Sequence, residues 1–220
     1  SHLRHHRDHY SLIRQRALVL AEDGGDHWSV LVMSTDRPGL LAKICGVMTL
    51  NQLEVVNAQI FTWSDGTVVD MIDVRPTETF DFEECDWQAI NEDLTRAVNH
   101  RLGLGYRLYE KLKHSYGRRR DLIGSHEYRV EIDNKGSDDY SIIEVHAGDH
   151  PGQLYRITQT LADFGINIHK AFIATEVGQL IDVFYITDDK GEKLEKGEFS
   201  QEVVNGLMHA IGADEEQAVK

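Results

Sequence analysis

The 220-residue chain holds two cysteines, Cys45 and Cys85, too few for a disulfide framework and wrongly spaced for a zinc knuckle. Both are read as inert thiols of a reducing compartment. No run of about 18 apolar residues spans a bilayer, and Ser1-His2-Leu3-Arg4-His5-His6 lacks the apolar stretch of a secretion signal. A cytoplasmic chain with no membrane partner is expected. Positive charge is short too: 23 Lys and Arg stand against 37 Asp and Glu, for a formal net charge of -14. That balance opposes a protein built to neutralise nucleic-acid phosphates. Catalytic signatures are missing as well, with no nucleophile elbow, Walker loop, two-cysteine metal pair or His-Glu-x-x-His. Within this chain no catalytic residue, metal ligand or cofactor is expected.

What is present is the material of a folded interior. Apolar residues make up 41% and charged residues 27% of the chain, a globular balance, and the length suits two domains of roughly 100 residues. Laid against itself, the sequence repeats: Asp36-Arg37-Pro38-Gly39-Leu40 returns as Asp149-His150-Pro151-Gly152-Gln153, an offset of 113. The same offset aligns Leu41 with Leu154, Ile44 with Ile157, Leu53 with Ile166, Ala58 with Ala171 and Ile60 with Ile173. Past the loop at Ser64-Asp65-Gly66 the offset becomes 112 and pairs Asp70 with Asp182, as a length change in a turn allows. A unit this long is a duplicated domain, not a solenoid repeat.

Each copy changes hydrophobic period in the same order. A strand-like run (28–33; 140–145) leads through the Asp-x-Pro-Gly turn to apolar residues at helical spacing, Leu40, Leu41, Ile44 and Met48 or Leu154, Ile157, Leu161 and Phe164. Proline is expected at the first helical position. Two β-branched runs then form a hairpin (53–62 with 68–74; 166–175 with 180–187). A second helix follows, capped in the first copy by Asp86 and running to Leu102, and covering 199–211 in the second. The plan is α+β, two ferredoxin-like βαββαβ domains with antiparallel sheets, preceded by a short N-terminal helix. One spare strand, 128–133, faces two vacancies: it closes the first copy or forms a hairpin with the first strand of the second. Cheaper loop closure favours the hairpin. The boundaries are a helix or linker at 1–22, a first domain at 26–104, a basic linker or helix extension at 105–127, a second domain at 128–212 and a tail at 213–220. The two sheets are expected to pair side by side within the chain, in competition with pairing between chains.

Two Asp-x-Pro-Gly turns, each feeding an amphipathic helix and an Ile-x-Thr hairpin, resemble ACT domains, small amino-acid-sensing modules of metabolic enzymes. Asn57 to Thr62 with Asp65-Gly66, Ile132-Asp133-Asn134 before Tyr140 to Val145, and Asp182 to Thr187 are similar to the C-terminal region of the bifunctional uridylyltransferase/uridylyl-removing enzyme family. That resemblance covers roughly residues 1–212, and Ser1 to Ala17 resembles the helix leaving a metal-dependent phosphohydrolase domain. It implies a regulatory fragment of a nucleotidyltransferase, sensing glutamine and controlling modification of the nitrogen signal protein PII. The catalytic domains and their Mg2+ would belong to the rest of that enzyme. The alternative is a free-standing tandem ACT regulator acting through a partner protein or transcription circuit.

The turn suits a ligand carboxylate because the first turn of a helix carries free N–H groups and a positive dipole end. Gly39 and Gly152 allow close approach, having no Cβ. The expected ligand set is Asp149, Pro151, Gly152, Gln153, Leu154, Asn167 and Ile168, with Asn167 beside the turn of its own copy. A second possible set is Asp36, Pro38, Gly39, Leu40 and Leu41, weakened by Glu54 at the position of Asn167. Asp36 and Asp149 read first as helix caps. His2, His5, His6 and His9 read as a solvated face in preference to metal ligands. Lys111, Lys113, His114 and Arg118 to Arg120, with Tyr106, Tyr109 and Tyr116, read as an interdomain or partner contact, since neither copy has the aromatic strand of an RNA-binding module.

Overall fold

The computed structural model describes residues 17–35, 38–62, 67–77, 85–118, 127–176 and 179–212. The first copy comprises β1 (Leu18–Asp23), β2 (Trp28–Thr35), α1 (Leu40–Leu50), β3 (Leu53–Thr62), β4 (Thr67–Pro76), α2 (Trp87–Val98) and α3 (Leu104–Arg118). The second comprises β5 (Arg129–Asp133), β6 (Ser141–Gly148), α4 (Gln153–Asp163), β7 (Asn167–Glu176), β8 (Gln179–Thr187) and α5 (Glu198–Ala210). All eight strands join one antiparallel sheet in the order β1-β2-β4-β3-β7-β8-β6-β5. Alternating strand residues such as Val30, Val32, Ile143 and Val145 are buried against the helices, the pattern expected of a sheet with one covered face.

The repeated plan is therefore ββαββα, not βαββαβ. The edge strand that a ferredoxin-like unit takes from its C-terminal end is supplied here from the N-terminal side, in the same place and antiparallel to its neighbour. Strand 129–133 forms the hairpin with β6, as loop-closure entropy favours. In the first copy the equivalent strand is Leu18–Asp23, a segment whose sequence suggests a linker. Leu18 and Leu20 are exposed, so the strand has no two-residue apolar rhythm to announce it. It is held by its ladder to β2 and by Val19 N–H donating to Asn91 Oδ1 at 3.0 Å. The N-terminal helix expected before it lies outside the described residues.

The segment after the first copy also differs from a linker. Leu104, Leu108 and Leu112 of α3 are buried against the core, and Lys111 Nζ donates to the Leu50 carbonyl at 2.6 Å, satisfying an acceptor at the end of α1. Asp86 caps α2 as expected, accepting from Ala89 N–H at 3.0 Å.

The copies meet through β3 with β7 and α1 with α4. Gly46 permits the close helix approach: a Cβ there would lie 2.7 Å from Leu104 Cδ2 and 2.8 Å from Tyr155 Cδ2. No helix of the described residues is long and apolar enough to cross a membrane.

Candidate ligand site between the two copies

Both Pro-Gly turns enter their helices through a left-handed glycine. Gly39 has φ 73° and Gly152 φ 78°, and each is the N-cap of its helix with no side-chain cap bond. This corrects one expectation: proline precedes the cap instead of opening the helix, and the glycine takes the N-cap position; Asp36 lies outside the described residues. The conformation is one that L side chains adopt at a cost, and in the first copy it sets the residues that open α1, Leu40 to Ala42, along the space between the copies.

That space is a cavity of about 240 Å³. Pro38, Gly39, Leu40 and Leu41 form one side, and Asn167, Ile168 and His169 of β7 form the other. Ile60, Val68 and Asp70 contribute from the first sheet, with Thr158 and Ala162 from α4. Asn167 and Ile168 thus stand opposite the turn of the other copy, not beside their own. Antiparallel pairing of β3 with β7 brings the start of β7 across to α1. Asp149, Pro151, Gly152, Gln153 and Leu154 do not line this cavity.

Several polar partners prepare the walls. Asn167 Nδ2 donates to the Asp188 carbonyl at 2.9 Å, and His169 Nε2 lies 2.9 Å from Thr187 Oγ1. Asn167 therefore presents its amide oxygen while its nitrogen ties down the loop after β8. Gln153 is buried, its amide bonded to the Ala210 carbonyl at 3.4 Å and to Arg156 Nη2 at 2.7 Å, which gives it a place in joining α4 to α5. Glu54, the counterpart of Asn167, lies 3.4 Å from Arg75 in a half-exposed ion pair of small energetic weight.

Sequence reasoning missed the acids beneath the turns. Asp70 and Asp182 are 1% and 0% exposed, and their repetition in register was the available signal. Burial, and then the charge of Asp149, pushes the Asp182 carboxyl well above the usual carboxylate range. Between the two acids Cys45 of α1 faces Thr158 of α4, whose hydroxyl donates to the Leu154 and Tyr155 carbonyls at 2.7 and 3.2 Å. Burial raises the Cys45 thiol and pushes Cys85 up to about 11, which keeps both in the unreactive thiol form.

Among the described residues no three His, Cys, Asp or Glu side chains gather as a metal site; His2, His5, His6 and His9 lie outside them. Lys113 pairs with Glu110 at 2.6 Å, and Tyr106 and Tyr109 are exposed. Arg119 and Arg120 lie outside the described residues. The arrangement is suited to hold a small zwitterion, with helix N–H groups for its carboxylate and a buried acid below.

Residues 141–202 match the ACT domain family. The second repeat is an ACT domain. With the same ββαββα order and α3 in addition, the first repeat makes the chain a tandem of α+β ACT units. Bifunctional uridylyltransferase/uridylyl-removing enzymes are its relatives: that of Gluconobacter oxydans is 33% identical over 192 residues, covering 86% of this chain and 20% of the enzyme. Those of Rhodospirillum rubrum and Cereibacter sphaeroides are 32% and 33% identical, covering 75% and 83% of this chain and 18% and 19% of theirs. The chain corresponds to the C-terminal ACT region of such enzymes and spans about a fifth of the length of the relatives it matches. The regulatory subunit of aspartate kinase from Thermus thermophilus is 14% identical over 90% of this chain and 99% of that one, at a TM-score of 0.23, too low to bear on the fold.

Proposed function

We propose that the tandem ACT unit senses an amino acid, glutamine in the first instance, and controls the uridylylation and deuridylylation of PII by the catalytic domains of a parent enzyme in the cytoplasm. The observation that carries this reading is the cavity of about 240 Å³ walled by both copies. A ligand bound there touches α1 of one copy and β7 of the other, so its binding energy depends on how the copies sit together. Such differential contact is what lets a ligand shift a conformational equilibrium. The carboxylate of the ligand meets N–H groups at the start of α1, where a helix dipole favours an anion. The amide oxygen of Asn167 accepts from the opposite side. Relatives named for two opposed activities on a uridylyl group support assignment to that regulatory circuit.

Calorimetric titration with L-glutamine tests the reading. Binding should fall roughly tenfold to a hundredfold in Asn167→Ala, the usual weight of a hydrogen bond to a charged ligand group, whereas Glu54→Ala should bind as the parent does or better. A chain that gives no heat with glutamine would sink the glutamine assignment, and an unaltered Asn167→Ala would remove Asn167 from the site.

A further inference from the structure

Asp182 occupies on β8 the repeat position that Asp70 occupies on β4. Asp70 lines the open cavity beneath Pro38 and Gly39. Asp182 is fully buried and neither carboxylate oxygen meets a side-chain partner, the Ala174 backbone N–H being the one donor that acts on it. It is near enough to Asp149, at the head of the Pro151-Gly152 turn, for that charge to act on it, and near enough to Cys45 of α1 to act on the thiol. By the repeat, Asp182 stands in its copy where Asp70 stands in the first. A buried acid met by a single backbone N–H keeps most of its acceptor capacity unfilled, a penalty that a ligand cation would offset.

We propose that Asp70 and Asp182 are the ammonium-reading groups of two axis-related amino-acid subsites, one beneath each Pro-Gly turn. The inference rests on the amino-acid-sensing reading and adds the group that recognises the amine. Helix N–H groups above and a carboxyl below are complementary to the two ends of an α-amino acid. Surroundings differ between the subsites: Leu40 and Ala42 of the first become Gln153 and Tyr155 in the second. The two therefore take the same ligand with unequal affinity.

A proton accompanies the second binding event. In the empty core, burial and the Asp149 charge favour the neutral acid at Asp182. Its other neighbours are the Ala174 backbone N–H, which favours the carboxylate, the Cys45 thiol of α1, Val145 of β6 and Ile173 of β7. An arriving ammonium favours the carboxylate, so the Asp182 proton leaves to the buffer as the ion pair forms, and affinity rises with pH.

Calorimetry of the chain in two buffers of different ionisation enthalpy reads this directly, using L-glutamine, its amine-free analogue 4-carbamoylbutanoate, ammonium chloride and the remaining standard amino acids. Glutamine should bind with proton release and at least tenfold more tightly than the analogue. Ammonium alone should bind far more weakly than glutamine. Asp182→Asn, confirmed folded by its thermal transition, should lose the proton release and one of two binding events, and Asp70→Asn the other event. Retained discrimination and retained proton release in Asp182→Asn would overturn the proposal, as would ammonium alone reproducing glutamine binding. Proton-linked binding of a different amino acid would remove only the glutamine assignment; no proton-linked binding by any of them would remove both.

Discussion

Ala58 of β3 pairs with Ala171 of β7, and the two are the same position of the repeat. Their flanking pairs, Asn57 with Phe172 and Gln59 with Lys170, are likewise exchanged counterparts. A pseudo-twofold axis therefore passes between the alanines. The helix layer obeys it too, since Cys45 of α1 and Thr158 of α4, which face each other, share a repeat position. Symmetric pairing of identical surfaces is how two-fold assemblies close, and duplication has placed both halves in one chain. The cavity and the two buried acids lie on either side of this axis.

The pairing leaves no room at its centre. Ala58 and Ala171 are 1% and 0% exposed, so Ala171→Leu should crowd the β3–β7 contact and cost about 1–3 kcal/mol. Denaturant unfolding measures the loss, and amide exchange should rise first in β3 and β7. An unchanged midpoint would mean that the copies are joined elsewhere.

Gly39 needs its missing side chain twice over. At φ 73° a Cβ is strained, and it would lie 3.3 Å from the Ala162 Cβ. Gly39→Ala should cost about 1–2 kcal/mol and weaken ligand binding at the cavity, while Gly152→Ala, at φ 78°, carries comparable backbone strain. Thermal denaturation of the two variants checks both.

The α3 helix is core, not tether. Leu108 is 3% exposed, and Leu108→Ala should destabilise the chain by about 2–5 kcal/mol. A linker residue would show almost no change in unfolding free energy.

Acid pH should favour the folded chain through Asp182. Its folded carboxyl titrates above the ordinary value, so the folded state holds the proton more tightly than the unfolded state does. Stability from this group is complete in acid and is lost as pH rises through the raised folded value. Relative to the parent, Asp182→Asn should gain melting temperature between about pH 4, near an ordinary carboxyl, and neutrality. A difference that stays flat across that range would contradict the assignment.

Much of this arrangement is legible in the sequence because duplication supplies its own control. The Pro-Gly turns, helices and hairpins recur in register, and Ala58 and Ala171 align before any coordinates are considered. Leu18–Asp23 escapes notice because an exposed edge strand has no buried face, and α3 because its charged residues mask the spacing of Leu104, Leu108 and Leu112. The helix caps mislead in a different way: an aspartate before Pro-Gly imitates a cap, yet the left-handed glycine takes that place. The site itself is divided between copies, so proximity along the chain assigns Asn167 to the wrong turn. Asp70 and Asp182 are visible only as register marks until the structure buries both in the core.

Amide hydrogen exchange with and without saturating L-glutamine tests the central claim most directly, because it reports where a ligand binds as well as whether it does. The N–H groups of Leu40, Leu41 and Ala42 lie at the start of α1 and line the cavity with Ile166 to His169. Slowed exchange in those two segments, one from each copy, is the predicted result, with protection at the start of α4 added where the second subsite fills. Glutamine-dependent protection confined to a single copy away from the cavity, or no protection at all, would contradict it.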